Sequence, residues 1–402
     1  MICLSQTMVG FFYLDQQNMG VLKESLAREL GVTNEAYGSI LSLFLAAYAA
    51  SYFVTGWIVD RSGVRRMFPF FVGLMSVATL CSGLARNLEQ FTVCRVLLGF
   101  AQAGVMPASV VALTKWIPVG RRASVASLTK PIAFAAQIAA TPLPIMLAAH
   151  WSWRLAFLLP GAAGLLVAVL WWCVDRPDDV AAPLPDAGWA QIIQHSFRQR
   201  EIRGLILSRA LTDPVWFFVL HWQPIFLVER MNFTTGQLAR FGWLPTAAKA
   251  LGGVALALYV DRKIAAGANP AAIRTRTLQA TAVLAPAIGL LAWIDQPQLA
   301  LALLSLLQII ASAWLTLSTI LMADLCAERT VGSNVALMDG TGILVSSVSS
   351  FFTGRLIQEA GYGPIFIACG LAYPLAACVL QATIMARYRQ RATGAATLGN
   401  AL

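Results

Sequence analysis

A chain of 402 residues that is 58% hydrophobic and only 12% charged, with a mean hydropathy of +0.68, cannot hide its apolar surface inside one soluble core. The composition excludes an ordinary soluble domain and points to a bilayer protein. The net charge of +10 invites a nucleic-acid reading that the distribution of the charges removes below.

Runs of the length that crosses the hydrocarbon, about 20 mainly apolar residues, recur at residues 1–22, 37–59, 67–85, 90–113, 125–148, 153–174, 203–228, 237–260, 277–294, 298–322, 332–357 and 363–386. They are expected to be helices, because in lipid every backbone N–H and C=O must bond within its own segment or in a closed barrel, and alternating ten-residue strands are absent from the sequence. The fold class expected is an all-α membrane protein of twelve transmembrane helices in two six-helix halves.

In chain order, the first span carries Tyr13, Asp15 and Gln16. It lacks the positive n-region and cleavage site of a signal peptide, and the basic flank it also lacks suggests a short basic tail missing before Met1. The second span holds Tyr48 and ends in "GWIVDRSGVRR", Gly56 to Arg66, one acid and three arginines in a charge-poor chain. The fourth holds Arg95, Gly99 and Gln102. Lys130 stands near the start of the fifth span and Gln137 within it.

The longest break, 175–202, begins "DRPDDVAAPLPDAG" and separates residues 1–174 from 203–386; residues 387–402 form a tail. The seventh span holds Arg209, Asp213, Pro214, Trp216 and His221. The eighth carries Lys249 at mid-length and ends in "ALYVDRK", where Asp261 and Arg262 stand 201 positions after Asp60 and Arg61. Such correspondence is expected of an internally duplicated transporter. Trp314 lies in the tenth span, Asn334 and Asp339 in the eleventh.

Seven cysteines without paired spacing and three scattered histidines give neither a disulfide framework nor a metal cluster, and no cofactor motif is found. With the N-terminus placed in the cytoplasm, inner segments collect eighteen Lys and Arg against six outside. That is the positive-inside asymmetry, so both termini are expected to be cytoplasmic and the basic charge reports topology in an inner (plasma) membrane.

"GWIVDRSGVRR" resembles the loop signature of the major facilitator superfamily, and "RVLLGFAQAGVMP" its fourth-helix pattern. Gly56 and Gly63 permit close helix approach, Asp60 can sit against a helix terminus, and Arg61, Arg65 and Arg66, echoed by Asp261 and Arg262, can bridge the halves as a gate. The plain alternative is a positive-inside anchor.

Within that superfamily the chain resembles the anion:cation symporters, on "YLDQQNMGVLKESL", "CRVLLGFAQAGVMPA", "WSWRLAFLLPGAAGLLVAVLWW" and "SRALTDPVWFFVLHWQPIFL". The resemblance implies proton-driven uptake of a small organic carboxylate such as a sugar acid. It also implies an Arg after the first-span Asp and a Glu in the fourth span, where this chain has Gln16 and Gln102. One anion clamp and one proton carrier are missing together, which leaves the net charge of the cavity unchanged.

Ionisable residues at membrane depth are costly and are functional candidates. Lys249 and Lys130 can replace the missing Arg, as point charges rather than planar forks, with Arg95 beside them; snorkelling is the alternative for Lys130. Asp15 and Asp339 are the candidate proton carriers, beside Lys249 or Arg95, a permanent buried ion pair being the alternative for each. Arg209 and Asp213, four apart, are expected to pair structurally. Gln16, Tyr13, Tyr48, Gln102, Gln137, Trp216, Trp314 and Asn334 can hold hydroxyls, although Trp and Tyr also anchor helices at the interface. The fifth span lacks the Gly-Pro-Gly-Gly run associated with antiporters. The reading is an alternating-access transporter with small-molecule, proton and bilayer partners and no enzyme motif. The alternatives are a permease for a neutral or metal-chelating molecule and a non-transporting sensor.

Overall fold

A computed structural model describes residues 2–116, 132–174, 194, 196–326 and 331–385. Lys130, most of the 175–202 linker and the 387–402 tail lie outside the described residues, as do the side chains of Gly56, Asp60 and Arg61.

The N-terminal half consists of α1 (Ile2–Val21), α2 (Lys23–Leu30), α3 (Asn34–Ser62), α4 (Val64–Leu84), α5 (Leu88–Gln102), α6 (Val105–Trp116), α7 (Ile132–Ala139), α8 (Pro142–His150) and α9 (Leu155–Val174). The C-terminal half consists of α10 (Arg200–Glu229), α11 (Thr235–Phe241), α12 (Leu244–Ala265), α13 (Pro270–Leu284) with a 3-10 continuation (Ala285–Ala292), α14 (Pro297–Leu325), α15 (Val331–Ala360) and α16 (Gly363–Leu380). Among the described residues eight passes qualify as membrane spans by length and hydropathy, or nine with the α7–α8 pair, bent by 45°. α1, α10 and α13 fall short of that measure. α1 and α10 carry polar residues at membrane depth, and α13 starts with a basic turn beyond the apolar run, where Arg274 pairs with Asp324.

Helix ends follow local chemistry. Thr33, Asn87, Thr234 and Asn269 accept hydrogen bonds from the first turns of their helices, which satisfies N–H groups that lipid would leave unpaired. Gly63 joins α3 directly to α4 at φ 79°, ψ 145°, a region open essentially to glycine. Three spans read as single runs are broken at depth: after Gln102, at Ala140–Thr141, and at Gly242–Trp243. Non-helical backbone is tolerated at membrane depth where protein buries it.

Within the N-terminal half α4 lies along α9 and α3 along α5; within the C-terminal half α12 lies along α14 and α16 along the 3-10 segment. The halves meet mainly where α3 lies along α15 and α1 crosses α10. A Cβ on Gly38 would stand 2.9 Å from the Gly354 Cα, so these two glycines let α3 and α15 touch backbone to backbone. Small residues at such crossings matter because lipid removes the hydrophobic drive between helices. Leu251, Val283, Leu166 and Val169 are instead exposed, an arrangement suited to acyl chains.

The turns after α1, α4, α8, α10, the 3-10 segment and α15 share one face. Arg154 bonds Glu29 and the Gly83 and Ala85 carbonyls, Glu229 takes Lys23, Asn34 and Tyr362, and Arg230 pairs with Asp295. Trp151 and Trp293 lie exposed along it, as interface anchors do. We call it the odd-turn face; in the topology expected above it is the outer one.

Candidate functional site

Among the described residues, three groups of polar side chains at membrane depth gather the charged and amide candidates. The first lies within the N-terminal half. Asp15 accepts a 2.8 Å hydrogen bond from Thr79 Oγ1 through Oδ2, while Oδ1 has no partner. Arg95 does not pair with that carboxylate; its guanidinium donates to the Asp15 main-chain carbonyl at 3.4 and 3.5 Å and lies 5.4 Å from the centre of the Phe44 ring. Gln16 Nε2 reaches Gln102 Oε1 at 3.5 Å. The two positions where the resemblance implies Arg and Glu are thus neighbours. Here one neutral amide faces another, whereas a charge at only one of the two positions would stand buried and unpaired.

The second group crosses between the halves. Arg209 forms a two-pronged contact with Asp213, 2.6 Å from Nε to Oδ1 and 3.0 Å from Nη2 to Oδ2, and also stands 3.0 Å from Asp339 Oδ1. Tyr52 of the N-terminal half donates to Asp339 Oδ2 at 3.3 Å and stacks edge-on with Tyr48. One expectation is corrected here: Asp339 is held by Arg209 rather than set beside Lys249 or Arg95, in the buried ion pair expected as its alternative. The expected pair of Arg209 with Asp213 forms, and Asp339 joins it as a third member. The reason is that α15 packs along both α3 and α10, which the spacing within one helix cannot reveal.

The third group surrounds Lys249. This side chain is buried, has no carboxylate partner among the described residues, and its Nζ lies 4.9 Å from the centre of the Trp216 ring. A cation on an aromatic face gains about 2 kcal/mol or more when desolvated, less than a buried ion needs. Among the described residues, Lys249 is thus a buried cation whose one partner is an aromatic face. Toward the odd-turn face a small crevice of mixed character opens between the halves, with Gln17, Thr141, Gln223, Gly242, Thr246 and Gln308 beside the apolar Val219, Leu220 and Pro224. Gln308 Nε2 donates to Gln223 Oε1 at 3.1 Å, and Gln223 Nε2 to the Gly242 carbonyl, freed by the break before α12, at 3.2 Å. Thr141 Oγ1 reaches Gln17 Oε1 at 3.5 Å. Sequence reasoning did not single out these residues; buried amides on apolar helices were the available signal, and only assembly brings five helices to one point.

Other candidates lie apart. Trp314 donates its Nε1 to Thr281 at 3.2 Å and packs on Tyr373, inside the C-terminal half. Asn334 accepts from Ser196 at 2.6 Å, where the end of the linker meets α15. Gln137 is buried with its Nε2 unpartnered, and Tyr13 is half-buried against Phe12. Of the residues expected to form a gate, Arg66 is exposed, Gly63 is the α3–α4 joint, and Arg65 has a partner. Asp261 and Arg262 are exposed at the end of α12 without an ion pair among the described residues. Among the described residues no group of three or more His, Cys, Asp or Glu is placed to hold a metal.

The profile of the Major Facilitator Superfamily matches residues 7–350. The hexuronate transporter of Escherichia coli (strain K12) is 25% identical over 391 residues, covering 92% of this chain and 89% of that protein. The D-galactonate transporter of Escherichia coli O6:H1 is 22% identical over 380 residues, covering 88% of each. The crystal structure of the D-xylose-proton symporter superposes with a TM-score of 0.73 at 16% identity, over 95% of this chain and 97% of that one, a likeness of fold.

Proposed function

Because the chain belongs to the major facilitator superfamily, a family of multi-pass membrane transporters and not of enzymes, we propose that it moves a small organic carboxylate, a sugar acid, by alternating access with proton symport. The observation that carries this reading is Lys249, a buried cation stacked on Trp216 with no carboxylate among the described residues to neutralise it. The hexuronate and D-galactonate in the names of its relatives support the same substrate class. The substrate carboxylate meets Lys249, with Arg95 and Lys130 as further cations, while Gln16, Gln102, Gln137 and the aromatic residues hold hydroxyls. Asp15, with one oxygen unpartnered, and Asp339, whose partners come from both halves, are the proton carriers. The cytoplasmic gate is the Gly56–Arg66 loop with Asp261 and Arg262, and both termini face the cytoplasm.

The test is uptake of labelled D-galacturonate and D-galactonate into proteoliposomes with an imposed inward proton gradient. Wild type is expected to concentrate at least one of them, Lys249→Gln to lose uptake by about tenfold or more, as expected when a charged partner is removed, and Asp339→Asn to lose the gradient-driven component. No uptake of any sugar acid by the folded protein sinks the reading. The neutral Gln16–Gln102 contact favours a second reading, a permease for uncharged molecules, which gains if the same vesicles carry polyols and ignore acids.

A further inference from the structure

We infer that the crevice between Gln17, Thr141, Gln223, Thr246 and Gln308 is a hydroxyl-recognising subsite that selects polyhydroxylated carboxylates over plain ones. The inference rests on the carboxylate reading above and assigns to it residues that share no sequence motif.

The chemistry of the lining carries it. Beside Val219, Leu220 and Pro224, which can take the apolar C–H faces of a ligand, the five polar side chains are buried, none is titratable, and each is an amide or a hydroxyl that both donates and accepts. Their mutual bonds leave capacity over. The Gln17 NH2 group, the Gln308 carbonyl oxygen and the Thr246 hydroxyl have no hydrogen-bond partner among the described residues. These atoms face the crevice and are not sealed in the core, so donors and acceptors left open on both halves fit a ligand rich in hydroxyls. A charged ligand group would find no counter-charge there.

Helix geometry joins the crevice to the cation. Thr246 and Lys249 are three residues apart on α12 and so lie on one face, about 4.5 Å apart along the axis. Trp216, under Lys249, and Gln223 are seven apart on α10, again on one face and about 10 Å apart along the axis. A six-carbon acid extends about 6–7 Å at single-bond lengths near 1.5 Å. With its carboxylate on Lys249 such a molecule directs its far end toward Thr246, Gln223 and Gln308, whose crevice in this structure has room for about one hydroxyl. Gln17 and Thr141 come from the other half, so the hydroxylated end is gripped by both halves only when this face is closed. Hydroxyl recognition is thereby tied to closure.

The test is calorimetric binding to the purified full chain of three probes: D-galacturonate, hexanoate with the same number of carbons and no hydroxyls, and galactitol with hydroxyls and no charge. Wild type is expected to prefer galacturonate to hexanoate by at least about tenfold, since sites built to bond hydroxyls reject analogues lacking them. Gln223→Ala and Gln308→Ala should each shrink that preference several-fold, while Lys249→Gln weakens both acids together. Thr246→Val, close to isosteric, gives the same readout if a glutamine variant fails to fold, as checked by gel filtration and thermal melting. An unchanged preference in the folded variants overturns the inference. If galactitol binds and galacturonate does not, and Gln223→Ala weakens galactitol, the carboxylate reading falls and the subsite stands. If neither hydroxylated probe binds folded wild type, both fall.

Discussion

Gln16 and Gln102 touch across the N-terminal half, and the contact makes a prediction about charge. Gln102→Glu alone buries an acid whose nearest amide is neutral, and Gln16→Arg alone buries a cation; breaking a buried pair in this way costs about 3–5 kcal/mol. The double substitution restores the pair that the resemblance implies. Melting of the four proteins in detergent should give a favourable coupling of at least about 1 kcal/mol, and strict additivity would show that the two positions do not meet. Lys249 presents the opposite case, one buried charge with no carboxylate partner among the described residues, and it is the ligand experiment rather than stability that reports on it.

The α3–α15 crossing ties the halves together, and it does so through two glycines. A Cβ at Gly38 would meet the Ser350 carbonyl at 2.8 Å and the Gly354 Cα at 2.9 Å, backbone atoms that cannot swing aside. Gly38→Val should therefore cost about 1–3 kcal/mol as overpacking, paid only in the state where the odd-turn face is closed. The expected outcome is a protein that folds but populates the state open on that face. It is read as faster alkylation of a cysteine introduced at Asn34; an unchanged alkylation rate would contradict the argument. The same crossing holds Asp339 against Tyr52, so a change at the carboxylate is felt by the helix contact that moves.

Across the whole molecule, the six turns of the odd-turn face are linked, with Glu229 as the hub between halves. Lys23 and Asn34 reach it from the N-terminal half and Tyr362 from the C-terminal half. An exposed pair contributes about 0–1 kcal/mol, but this carboxylate has three partners, and all the contacts across the halves must break for the face to open. Cross-linking Lys23→Cys to Glu229→Cys should abolish transport and reduction should restore it. Transport that persists in the cross-linked protein would mean that this face does not open in the cycle.

Composition and hydropathy by themselves determined a bilayer protein of helical passes, because twenty-residue apolar runs have few other ways to satisfy their backbone in lipid. The local motifs determined the joint at Gly63, whose backbone only glycine readily adopts, and the i, i+4 pairing of Arg209 with Asp213. The neighbour of Asp339, the meeting of Gln16 with Gln102 and the convergence of Gln17, Thr141, Gln223, Thr246 and Gln308 were decided by tertiary structure alone. Helices apolar on every side carry no periodic mark of which face turns inward, and the breaks at Thr141 and Gly242 that shape the crevice sit inside runs whose hydropathy is continuous. Contacts between residues 80 to 300 positions apart depend on how whole helices cross, a property no single span encodes.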